Sequence, residues 1–227
     1  MVAHASLARP WRQPRQAAAR ARPLRDIQGL GPRQNRDMRV GIAHHFGWAV
    51  AVTASADHTV VDRRRIELIE SGMPPAPIHH EGGAHILHRS AEPLDDNALA
   101  TLVADVRASV IRAASAALDE LADAVPEPIF SISVRAWPAD FPEDIAVQRR
   151  VPYESRADSV MYCQLLAAVA RERGLMVHLY NPNNVEDEAA RILGDRTGEV
   201  LHGPRATFGP PWSKDHRMAL AATIVVT

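Results

Sequence analysis

The chain has 227 residues, 46% of them hydrophobic and 23% charged, with a formal net charge of −1 and one cysteine. That length suits a single domain with a tail, and the apolar share is enough for a core. No apolar run reaches the ~18 residues of a membrane-spanning helix, no apolar signal core precedes the folded part, and a lone Cys163 excludes an internal disulfide and fits a reducing cytoplasm.

The charge is unevenly placed. Residues 1–37 hold eight arginines against Asp26 and Asp37, net +6, which leaves −7 for residues 38–227. An acidic body is a poor match for a phosphate backbone. The leader is rich in Arg, Ala, Pro and Gln and poor in large apolar residues. It cannot bury enough surface to offset its ordering entropy. It is expected to be a disordered tail, or an untranslated stretch ahead of a start at Met38. Its functional alternative is a basic arm that touches nucleic acid or an acidic surface. Lys214 is the single lysine among 26 basic residues, the bias of a GC-rich bacterial genome.

From Met38 the pattern changes. Val40–His45, Trp48–Ala54 and Thr59–Leu68 read as three antiparallel strands joined by tight turns at Gly47 and at Asp57-His58. Arg63, Arg64 and Arg65 cannot share one face of the third strand, because strand side chains alternate. Residues 71–93 are rich in Pro, Gly and His, including His79, His80, His85 and His88, and read as an irregular loop. Asp95-Asp96-Asn97 offers helix caps, and Leu99, Val103, Val106, Val110 and Leu121 continue a long amphipathic helix. Ile129–Ala136 is a buried strand, residues 159–173 a helix capped by Asp158 and ended by Gly174, and Leu175–Tyr180 another strand. A short helix over 184–193, a Gly-rich stretch and a last helix from Lys214, capped by Ser213, complete the chain. Three antiparallel strands, a helix and a βαβ unit predict a mixed five-stranded sheet with helices on both faces.

That order of elements, with Pro210-Pro211-Trp212-Ser213-Lys214-Asp215-His216-Arg217-Met218-Ala219-Leu220 at its end, resembles the ribonuclease H-like superfamily of RuvC type. The chain also resembles a group of bacterial proteins without an established activity, from Gly47-Trp48-Ala49-Val50 to Gly209-Pro210-Pro211-Trp212. The superfamily resemblance implies paired Mg²⁺ ions held by carboxylates from the first strand, the fourth strand and the last helix, since hard cations need oxygen ligands. Here Ala43 stands at the first-strand position, Arg135 at the end of the fourth strand, and Met218 three residues beyond Asp215. One carboxylate of the set survives, so the acidic centre is degenerate.

Two readings follow. In the first the chain is a binding protein that meets nucleic acid, through its basic tail, or a protein partner, through the face near Arg135 and Lys214. In the second it is a metal-dependent hydrolase of nuclease or phosphoesterase type. His44, His45, His80, His85 and Asp215 would then ligate a divalent metal softer than Mg²⁺, and Asp215, His45, Arg135 and Lys214 would be catalytic. The histidine spacing matches no standard zinc motif, and Cys163 sits in an apolar helical pattern as a packing residue.

Overall fold

The computed structural model describes residues 37–83 and 92–226. The tail expected over 1–37 therefore lies outside the described residues save for Asp37, as do His85 and His88. The elements run β1 (Met38–His44), β2 (Trp48–Ala54), β3 (Val60–Glu67), a π-helical turn (Ile78–Gly82), α1 (Asp96–Ala124), β4 (Ile129–Arg135) and α2 (Ile145–Gln148). They continue with α3 (Glu154–Glu172), β5 (Met176–Tyr180), α4 (Val185–Leu193), α5 (Thr197–His202), α6 (Pro204–Phe208) and α7 (Lys214–Ile224). The sheet order is β3-β2-β1-β4-β5; β2 is antiparallel to β1 and β3, while β1, β4 and β5 are parallel.

Alternation along β1 divides two cores. Val40 and Ile42 pack with α1 and α3, whereas Ala43 packs with α7 and α4. The mixed sheet with helices on both faces is thus the architecture that the order of elements predicts. On the α7 side the strands carry small residues. A Cβ on Gly41 would overlap the carbonyl oxygen of Ala219, so the glycine lets α7 lie directly on β1. Tyr180 fixes the other flank, its hydroxyl donating to the carbonyl of Ile42 at 2.7 Å.

Asp95 caps α1 as its sequence suggests, accepting from Ala98 N–H at 2.8 Å. One expectation is corrected. Helix α3 begins at Glu154, so Asp158 lies one turn inside it and caps nothing there. Its carboxylate instead accepts Ile78 N–H at 3.1 Å and His79 N–H at 2.9 Å, seating the π-helical turn. The Gly-rich stretch after α4 is mostly short helices closed by Gly203 and Gly209. Arg149 ties Gly82 to the start of α1: it donates to the carbonyls of Gly82 (2.9 Å) and Leu94 (2.6 Å) and pairs with Asp96 at 2.7 Å.

Candidate functional site

The chain leaves β1 as His44-His45, and the strand's alternation sends the two rings to opposite sides of the sheet. His44 enters the α3 side, 1% exposed, with Nε2 3.0 Å from Ser159 Oγ and 3.6 Å from Cys163 Sγ. Burial, then the nearby Arg135 and His45, hold its pKa down at about 3, so it is a neutral imidazole. Cys163 is buried beside it, and burial pushes its thiol up to about 12, the state of a packing cysteine.

His45 turns to the α7 side. Its Nε2 meets Asp215 Oδ2 at 3.1 Å, the pair being 39% and 27% exposed. Its ring stacks on Trp48, centroids 4.2 Å apart at 11°, and Arg65 lies 4.0 Å over the same indole. The imidazole is therefore held edge-on by a carboxylate and face-on by an aromatic. Asp215 is in the first turn of α7, where its charge suits the helix dipole. Ser213 caps that helix reciprocally with His216: its N–H donates to His216 Nδ1 at 3.2 Å and its hydroxyl lies 2.8 Å from the same atom. Burial and Arg63 lower the His216 pKa, which keeps Nδ1 an acceptor.

A cleft of about 410 Å³ opens beside this pair, lined by Trp48, Arg63, Arg65, Ser213, Asp215 and His216. Arg63 and Arg65 sit opposite Val52 and Val50 and share the cleft's face, whereas Arg64 points to the other side and pairs with Asp62 at 2.8 Å. Arg63 is spent on backbone: it donates to the carbonyls of Phe208 (2.9 Å) and Pro211, fixing the segment that leads into α7.

Arg135 ends β4 on the α7 side and is partly buried. Its Nη2 lies 3.8 Å from Met218 Sδ, and its Nε is shielded from solvent without a hydrogen-bond partner. Among the described residues it makes no salt bridge. Lys214 is exposed in the first turn of α7.

The expected residues are thus only partly brought together. Asp215 and His45 touch. His44 is on the opposite face, and His80 lies in the π-helical turn packed against α1 and α3, so the five-ligand metal set does not assemble from those two. Among the described residues no three His, Cys, Asp or Glu side chains gather as metal ligands. Nor does the donor set fit a pair of Mg²⁺ ions: Ala43, Met218 and the end of β4 put a methyl, a thioether and a cation where oxygen is needed. Trp48 and Arg65 were not singled out as site residues by sequence reasoning. The signal was their register across the β2–β3 hairpin, which places Trp48 beside the residue that follows β1.

The fold is an α/β mixed five-stranded sheet similar to that of RuvC, a ribonuclease H-like protein. Thermus thermophilus RuvC in complex with a Holliday junction substrate matches at a TM-score of 0.45 and 11% identity, over 83% of this chain and 90% of that one. A second Thermus thermophilus RuvC structure matches at 0.42 and 12%, over 82% and 91%. No protein-family model matches the chain, and no curated protein matches it in sequence. Among the described residues no helix is long and apolar enough to cross a membrane.

Proposed function

We propose that this chain is a ribonuclease H-like protein that binds rather than cleaves, recognising an anionic partner at the carboxyl ends of its central strands. The observation that supports this reading is the Nε of Arg135, shielded from solvent and without a hydrogen-bond partner at the end of β4. A partly buried guanidinium that forms no salt bridge among the described residues, and whose Nε has no hydrogen-bond partner, keeps an unmet demand for an oxyanion. Lys214 adds a second cation on the helix beside it. Nucleic acid suits this face if the +6 leader supplies long-range attraction to offset the −7 body; otherwise the partner is an acidic protein surface. The test is fluorescence anisotropy with labelled single-stranded, duplex and branched DNA, with and without Mg²⁺ or Mn²⁺. The expected result is salt-sensitive binding, weakened in Arg135→Met and Lys214→Ala, with the strands left intact. Metal-dependent cleavage lost in Asp215→Asn would overturn it.

The His45–Asp215 pair supports a second reading, a hydrolase of nuclease or phosphoesterase type. Asp215 would hold Nε2–H of His45 and leave Nδ1 as a general base. Turnover of phosphodiester substrates abolished by both His45→Ala and Asp215→Ala would favour this reading over the first.

A further inference from the structure

The two edges of the sheet are treated oppositely. The β3 edge carries Arg63, Arg64 and Arg65 in a row, the kind of charge that blocks edge-to-edge pairing. The β5 edge, Met176-Val177-His178-Leu179-Tyr180, has no Lys, Arg, Asp, Glu or Pro. Met176 and Leu179 are 48% and 49% exposed, and Phe130 on the neighbouring β4 is 47% exposed. Register puts Met176 on the α7 side and Leu179 on the α3 side, so apolar surface wraps around the edge. Among the described residues no backbone group bonds to its outer side.

The direction of the backbone groups decides what fits. The carbonyl of Tyr180 accepts from Ala136 N–H, towards β4. In a parallel strand, alternate residues bond to one side, so Met176, His178 and Tyr180 bond inward. Val177 and Leu179 therefore point N–H and C=O outward. An antiparallel two-fold centred on His178 sets Val177 of one copy against Leu179 of the other. Each such pair exchanges both its hydrogen bonds, and Met176 faces Tyr180. His178 faces its own copy at the close, non-hydrogen-bonded spacing. The segment is self-complementary in backbone polarity, side-chain size and absence of like charge, which are the conditions of an isologous interface.

We propose that β5 is a homodimer interface, joining two sheets into one continuous ten-stranded sheet with the two-fold axis at His178. The test is the mass of the full chain by light scattering across a dilution series, with two probes of the edge. The chain is expected to be dimeric at high concentration and to dissociate on dilution. Leu179→Lys, or Met176→Lys if the first variant unfolds, should give a monomer with unchanged circular dichroism. His178→Cys in a Cys163→Ala background should cross-link to a covalent dimer on mild oxidation, whereas Val177→Cys in the same background should not, because it faces Leu179. A monomer at every concentration, a dimer that survives the lysine substitution, or a dimer that fails to cross-link through position 178 would each overturn the proposal.

Discussion

Asp215 Oδ2 lies 3.1 Å from Nε2 of His45, joining the first turn of α7 to the residue that follows β1. The contact leaves the His45 ring clamped between a carboxylate and the Trp48 indole.

The pair is partly exposed on both sides, so its worth to the fold is small. His45→Ala and Asp215→Asn are each expected to change unfolding free energy by no more than about 1 kcal/mol in urea titrations. A loss of several kcal/mol would make the contact a structural tie and remove it from any functional account.

Gly41 is different. A methyl group there meets the Ala219 carbonyl, and neither β1 nor α7 can retreat without opening the core between Ala43 and Leu220. Gly41→Ala should destabilise by about 2–3 kcal/mol or more, read as a lower urea midpoint at unchanged slope. A neutral result would mean that α7 is not seated on β1 as described.

Two buried groups set opposing pH dependences. His44 titrates at about 3 in the fold against 6.5 unfolded. The unfolded chain binds more protons in that window, so this contribution is full above pH 6.5 and is lost as pH falls towards 3. Burial raises Asp158 to about 7 from 3.8. Its contribution is full below pH 3.8 and is lost as pH rises towards 7. The two offset between them. His44→Gln removes the first, so its stability should fall from pH 4 to 7 by a few kcal/mol more than that of the wild type, measured by denaturant titration at each pH. Parallel profiles would contradict the burial of His44 as a neutral imidazole.

Arg135 separates stability from recognition. Removing a partly buried cation that has no ion pair among the described residues relieves desolvation, at the loss of its bond to the Tyr180 side chain. Arg135→Met should therefore leave the melting temperature unchanged or higher while weakening anion binding. A drop of several degrees would show that Arg135 serves the fold.

The architecture was legible because hydrophobic period and turn residues act locally. The three-strand opening, the Asp95 cap and the apolar run of β4 each announced themselves. Asp158 misled because an acid ahead of an apolar helical stretch looks like a cap. Its true partners, the N–H groups of Ile78 and His79, are about eighty residues away in sequence. His44 and His45 were grouped by adjacency, although strand alternation alone separates them. Asp215 was found from its place on the closing helix. His45 was grouped with it, but so was His44, because which of the two rings faces α7 depends on register. The roles of Trp48 and Arg65 were hidden for the same reason, since both depend on cross-strand pairing rather than on any motif.

The most direct test of the proposed binding role is metal content by mass spectrometry after incubation with Mg²⁺, Mn²⁺ or Zn²⁺ and removal of free ion. With no three His, Cys, Asp or Glu side chains gathered among the described residues, no stoichiometric metal is expected to be retained. One tightly held equivalent, lost in Asp215→Ala, would contradict the account and favour the metal-dependent hydrolase reading.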